Sequence, residues 1–177
     1  VSDRSGLHEY TFNDPDGKRF ILIDLDHRDK VLASDLKIIN KPTVQGFRTS
    51  QGWANKQHFY FHLETSIPFQ KARKVKRGGQ NKLLLIFPKG TSTILVKVGM
   101  SGVDQSGAKK NVEQEIPHWD FNKTKEETKD KWNKELSKIE VETITEGDKI
   151  NFYTAMYHTN LSPILYEDVD GQYRGLD

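Results

Sequence analysis

A chain of 177 residues suffices for one full hydrophobic core, and 34% hydrophobic with 29% charged residues at a mean hydropathy of −0.74 describes a polar globular protein. Nine Phe, six Tyr and three Trp argue against disorder, and the absence of Cys excludes disulfides, thiolate zinc sites and cysteine nucleophiles. No apolar run approaches the ~20 residues of a membrane-spanning helix, so no membrane span is expected. The net charge of +2 hides an asymmetry: residues 1–100 carry 17 Lys+Arg against 9 Asp+Glu, residues 101–177 carry 10 against 16. Val1-Ser2-Asp3-Arg4 has no signal-peptide character, so a secreted protein would have to be present here in processed or truncated form.

The first hundred residues read as strands, because β-branched and aromatic runs recur with Gly, Pro, Asn and Asp between them. The expected strands are 7–12, 19–26, 31–39, 43–49, 58–65, 71–76, 82–87 and 93–100. Asn13-Asp14-Pro15-Asp16-Gly17 and Gly78-Gly79 read as turns. Strands joined by tight turns without helical crossovers predict an antiparallel sandwich.

After Gly102 the apolar period becomes 3.6 residues. A short helix is expected over 105–115, stopping before Pro117. An amphipathic helix is expected over 123–139, with Thr128, Trp132, Leu136 and Ile139 as its apolar stripe, Asn122 as its N-cap and Glu126-Glu127 near its positive end. A third helix over 148–160 carries Phe152, Ala155, Met156 and Thr159 on one side, Tyr153 and Tyr157 on the other, and Pro163 to stop it. Apolar or aromatic groups on both sides predict that this helix is buried.

Lys71-Ala72-Arg73-Lys74-Val75-Lys76-Arg77 has the charge density to contact phosphate backbones, yet its alternation before Gly78-Gly79 fits one arm of a solvated hairpin, and no nucleic-acid partner is expected. His58 and His62 fall in a strand and read as ordinary sheet histidines. His158 sits among Tyr153, Tyr157 and Asn160, where a hydrogen-bonded core histidine is expected. No nucleophile elbow, P-loop or dinucleotide fingerprint occurs. Gly46-Phe47-Arg48-Thr49-Ser50-Gln51-Gly52-Trp53 combines an aromatic platform with hydrogen-bond donors, which suits a sugar: the CH face of the ring packs on indole and the hydroxyls need directional partners. Trp53 reads equally as a cap on the sandwich core. The carboxylates of Glu167, Asp168 and Asp170 lie around Gly171, but the ligand pattern of an EF-hand is missing. Asp170-Gly171 reads instead as a hairpin turn with Tyr166 and Tyr173 on its flanks.

The ordered strings Gly46 to Ala54, Phe59-Tyr60-Phe61, Lys97 to Ser101, Ala108 to Phe121, Asn151 to Thr159 and Asp168 to Asp177 together resemble glycoside hydrolase family 92, the exo-acting α-mannosidases. The resemblance covers about three quarters of the chain. It implies an antiparallel β-sandwich (supersandwich, galactose-mutarotase-like) over 1–102, linker helices over 103–146, and the start of a truncated (α/α)6 barrel over 147–177. The chain would then be an internal fragment, expected to be inactive alone, with the catalytic acid and base outside this segment. The resemblance also implies Ca²⁺-dependent, inverting hydrolysis of terminal α-mannosides of glycans, with the calcium ligands elsewhere and no metal-ligating residue here. Arg48, Gln51, Gly52 and Trp53 are expected to contact substrate. Asp170, Gly171, Tyr173, Arg174 and Asp177 are expected to form a structural motif near the active site. The other expected partner is the rest of the catalytic domain. The implied location is periplasmic, cell-surface or secreted in a bacterium. An alternative reading is a non-catalytic carbohydrate-binding or structural module.

Overall fold

In the computed structural model, which describes residues 1–14, 16–75, 81–162 and 164–175, eight strands precede three helices. The strands are β1 (Ser5–Thr11), β2 (Arg19–Asp24), β3 (Lys30–Ile38), β4 (Thr43–Gln51), β5 (Gln57–Thr65), β6 (Lys71–Val75), β7 (Lys82–Phe87) and β8 (Thr93–Ser101). They form a five-stranded sheet in the order β1-β8-β5-β4-β3 and a three-stranded sheet in the order β2-β7-β6, with every neighbouring pair antiparallel. The expected Gly78-Gly79 turn, Pro15 and Pro163 lie outside the described residues.

The core lies between the sheets. Alternation along each strand sends Leu36, Val44, Phe61, Leu63, Ile94 and Val96 from the large sheet against Leu83, Leu85 and Phe87 of the small one, all of them buried. Phe69 fills the space beside them and meets Phe87 edge-on at 6.4 Å. Gly46 permits the tightest approach within the large sheet: a Cβ there would lie 2.5 Å from the Asp35 carbonyl oxygen and 2.7 Å from the Phe61 ring.

Helix α1 (Gln105–Glu115) lies where expected and lays Ala108, Asn111 and Val112 on the outer face of the large sheet, against β8. Its N-cap, Asp104, accepts from the Gly107 amide at 2.7 Å. Helix α2 (Phe121–Leu136) begins earlier than expected. Asp120, not Asn122, is its N-cap, because the Asp120 carboxylate accepts from the Lys123 amide at 2.9 Å while Asn122 is already helical. It also ends before Ile139, and its half-buried stripe runs through Thr128, Trp132 and Leu136 after the fully buried Thr124.

Helix α3 (Glu146–Thr159) starts from Thr145, whose hydroxyl accepts from the Asp148 amide at 3.2 Å. The expectation that it is buried is corrected: none of its residues is buried. Its side chains meet α2 through Tyr157 against Trp132 at 4.5 Å, and the segment after α2 through the Tyr153 hydroxyl donating to the Ile139 carbonyl at 3.1 Å. Among the described residues these contacts leave Phe152, Tyr153 and Met156 half-buried while Ile150 and Tyr157 remain exposed. His158 is exposed and not the expected core histidine; it packs against Tyr157, with ring centroids 5.7 Å apart.

Candidate functional site

The β4–β5 connection, the β2–β3 connection and the end of β8 all lie at one end of the sandwich, as the pairings Lys30↔Gln51, Ser50↔Gln57 and Tyr60↔Ser101 require. On the outer face of the large sheet near that end, alternate residues of β4 and β5 form a row of aromatic and polar groups. Phe47 and Tyr60 lie 5.9 Å apart, His58 stacks parallel to Tyr60 at 6.4 Å, and Thr49 Oγ1 is 3.3 Å from His58 Nδ1. Further along, the buried His62 bonds Gln45 at 2.9 Å and Glu64 at 3.0 Å. Burial lowers the His58 pKa, and the positive charges of Arg174 and Lys56 lower it further, so at neutral pH its imidazole is an uncharged hydrogen-bonding group. The buried Lys97 ammonium sits 4.3 Å from the centroid of the Trp119 ring, and its pKa is lowered by burial, partly opposed by Glu64.

Trp53 lies in the β4–β5 connection and its side chain is fully exposed, so it does not cap the core. Gln51, at the end of β4, is exposed as well. Arg48 points differently. It pairs with Ser34 and Phe59 on the sandwich-facing side, and its guanidinium donates to the Arg28 carbonyl of the β2–β3 connection. Gly52 donates its amide to the Ala54 carbonyl at 3.1 Å and packs on Asp29, whose carboxylate oxygen would lie 2.6 Å from a Cβ at Gly52. Of the four expected contact residues, Trp53 and Gln51 therefore face solvent while Arg48 and Gly52 support their loop.

The C-terminal segment docks against the same end. A tight turn over Asp168 to Gly171 is closed by Gly171 N donating to Asp168 O at 2.9 Å and Asp168 N donating to Gln172 O at 2.7 Å. Gly171 adopts φ 79°, which its lack of a Cβ allows. The bridge that flanks the turn joins Glu167 to Tyr173, with Tyr166 directly before it. Asp168 is buried and both carboxylate oxygens are occupied: Ser101 Oγ donates to one at 2.7 Å, Asn111 Nδ2 to the other at 2.8 Å. Asn111 also donates to Met100 O at 2.7 Å and accepts from Val169 N at 2.9 Å. Arg174 donates to the carbonyls of Gly102 at 2.9 Å and Val103 at 3.0 Å, and to the Tyr60 hydroxyl at 3.3 Å. Asp170 pairs with Lys110 at 2.7 Å, a bond that lowers the Asp170 pKa and raises that of Lys110. Tyr173 is exposed, and Asp177 lies outside the described residues.

The structure thus brings two groups of expected residues to one end of the sheet, with Arg174 on Tyr60, Tyr60 on His58, and His58 on Thr49, two residues before Gln51. Sequence reasoning missed Ser101, Asn111 and Asp168 as a unit. The available signal was Asn111, a polar residue on the same α1 stripe as Ala108 and Val112.

The acidic turn does not fit a cation. Both Asp168 oxygens already accept from protein donors, and the Lys110 ammonium occupies Asp170. Among the described residues no three His, Asp or Glu side chains converge. No helix is long and apolar enough to cross a membrane among the described residues.

An antiparallel sandwich locked by buried polar side chains to a following helical segment is a two-part architecture, and the comparisons follow the same division. Residues 1–101, more than half of the chain, match the glycosyl hydrolase family 92 N-terminal domain, and residues 107–177 match the glycosyl hydrolase family 92 catalytic domain. The chain belongs to glycosyl hydrolase family 92. The GH92 α-mannosidase BT3965 of Bacteroides thetaiotaomicron superposes over 100% of the chain with TM-score 0.87 and 30% identity, and the chain covers 26% of that protein. The same enzyme in complex with mannoimidazole gives TM-score 0.86, 28% identity and the same coverages. The GH92 inverting mannosidase BT2199 of the same organism shares the fold at TM-score 0.79 and 21% identity over 97% of the chain and 25% of its own length. An uncharacterized secreted glycosidase of Arthroderma benhamiae is 30% identical over 81 residues, which is 44% of this chain and 10% of that protein. The chain therefore spans about a quarter of the length of these solved relatives.

Proposed function

We propose that this chain forms part of a Ca²⁺-dependent, exo-acting, inverting α-mannosidase that hydrolyses terminal α-mannosides of glycans. Its role is a carbohydrate-contacting wall joined to the helical catalytic region. The observation that carries the role is Trp53: a fully exposed indole on a braced loop, at the end of the sandwich where Arg174 docks the C-terminal segment. An indole kept in water at a fixed place offers a flat apolar face to the CH groups of a sugar, and Gln51 beside it offers an amide to hydroxyls. The mannoimidazole complex of one relative supports mannose as the sugar, and the inverting activity of another supports inversion.

In this reading one carboxylic acid protonates the leaving oxygen while a carboxylate, set far enough away to admit a water, activates that water. Neither group is assigned to Glu167, Asp168 or Asp170, because Asp168 and Asp170 are held by protein donors and Glu167 lies half-exposed on the docking turn. Calcium is likewise assigned to residues other than the described ones. The proposed division is a sandwich over 1–102, linker helices over 103–146 and the start of the catalytic domain over 147–177. The proposed location is periplasmic, cell-surface or secreted in a bacterium, and the secreted glycosidase of Arthroderma benhamiae supports the secreted part of that reading.

Because Trp53 is fully exposed, truncating it leaves folding nearly unchanged, and a loss of activity then reads as lost binding. Trp53→Ala in the full-length polypeptide is expected to lower kcat/KM on an α-mannoside by about tenfold to a hundredfold, with Tm unchanged. A kcat/KM within about twofold of wild type would remove Trp53 from the substrate wall.

A further inference from the structure

The β2–β3 connection holds two consecutive non-glycine residues in the left-handed region, Arg28 at φ 61° and Asp29 at φ 54°. Consecutive left-handed residues are ordinary in two-residue hairpins, where they match the twist of paired strands. Here β2 and β3 belong to different sheets, so no hairpin register explains the conformation. Such backbone strain persists only where the surroundings over-determine it, and it concentrates at ligand clamps.

The surroundings are specific. The Arg28 carbonyl accepts from the guanidinium of Arg48 on β4, the strand that leads into the Trp53 loop. The Asp29 carboxylate rests on Gly52, where a Cβ would meet Oδ1 at 2.6 Å and Cγ at 2.8 Å. The next residue, Lys30, opens the β3–β4 pairing opposite Gln51. The strained pair thus touches the Trp53 loop at its stem, through Arg48, and at the residue directly before the indole, Gly52.

We infer that Arg28, Asp29 and Arg48 are positioning residues that set the pose of the Trp53 loop for the sugar, with Gly52 as the seat on which the Asp29 carboxylate rests. The inference rests on the reading of Trp53 as a sugar platform. Left-handed backbone turns the Asp29 side chain onto Gly52, and Arg48 holds that turn through the Arg28 carbonyl. Asp29 itself is exposed, so it contributes little to the core, and its removal loosens the loop without unfolding the sandwich.

The test uses the full-length polypeptide labelled with fluorotryptophan, in which the Trp53 resonance is assigned by its loss in Trp53→Phe. Asp29→Ala is expected to shift or broaden the Trp53 resonance and to raise KM for an α-mannoside about fivefold with kcat within about twofold. Asp29→Asn is expected to restore both, since Asn tolerates the left-handed region and still reaches Gly52. In the Trp53→Ala background Asp29→Ala is expected to add nothing to KM, because the two act as one unit. An unmoved Trp53 resonance in Asp29→Ala, or a KM increase that persists in the Trp53→Ala background, would overturn the inference. If instead Trp53→Ala leaves KM unchanged while Asp29→Ala moves the resonance, the brace stands and the sugar platform falls.

Discussion

Replacing Asp168 by alanine is expected to destabilise the protein by about 3 kcal/mol, a large fraction of what a domain of this size has to lose. The carboxylate is buried and receives Ser101 Oγ and Asn111 Nδ2 at 2.7 and 2.8 Å. Its removal strips Ser101 Oγ of its acceptor and Asn111 Nδ2 of one of its two, in a buried site. The effect spreads because Ser101 also caps the amides of Val103 and Asp104, and Asn111 also holds Met100 and Val169. Gly107 adds a steric element: a Cβ there would lie 2.0 Å from Asp168 Oδ2, so the first turn of α1 and the C-terminal turn are in direct contact. The midpoint of urea unfolding, followed by circular dichroism, reads the change directly. A shift equivalent to less than about 0.5 kcal/mol would mean that Asp168 does not lock the C-terminal segment to the sandwich.

Gly99→Ala is expected to cost a comparable amount, about 2 to 3 kcal/mol. On the outer face of β8, Gly99 lets α1 approach so closely that a Cβ would stand 2.1 Å from the Ala108 carbonyl oxygen and 2.8 Å from Val112 Cβ. The nearest obstacle is backbone, which cannot swing aside as a side chain would, so α1 must lift from the sheet. Lifting it exposes Ala108, Val112 and Ile116, and disturbs Asn111 within the Asp168 network. Differential scanning calorimetry of this variant should show a Tm several degrees lower. An unchanged Tm would mean that the close contact of α1 with β8 is not a structural requirement.

The strands were legible in the sequence because inward residues alternate with polar ones, and β7 follows its expected bounds of 82–87. Helix α1 was legible for a similar reason, with Gln105 and Glu115 as its ends. The start of α2 was not, because both Asp120 and Asn122 are good capping residues and only the bond to Lys123 N distinguishes them. Helix α3 misled because composition on two sides gives the capacity for burial, whereas burial needs neighbours on both, and among the described residues α2 and the segment after it leave every α3 residue at least partly exposed. At the candidate site, the string around Trp53 marked the right loop. The directions of its side chains depend on the strand parity that turns Arg48 inward and on the β2–β3 connection beneath Gly52, which are long-range facts. Asp168 looked like one carboxylate among several, because its partners Ser101 and Asn111 lie 67 and 57 residues away in the chain.

The measurement that tests the mannosidase reading most directly is the anomer of the first sugar released, followed by proton NMR as the full-length polypeptide acts on an α-mannoside with calcium present. An inverting enzyme places water on the face opposite the leaving group, so β-mannose should appear first and only then equilibrate to the α form. Release of α-mannose first, or no release of mannose under these conditions, would contradict the proposed function.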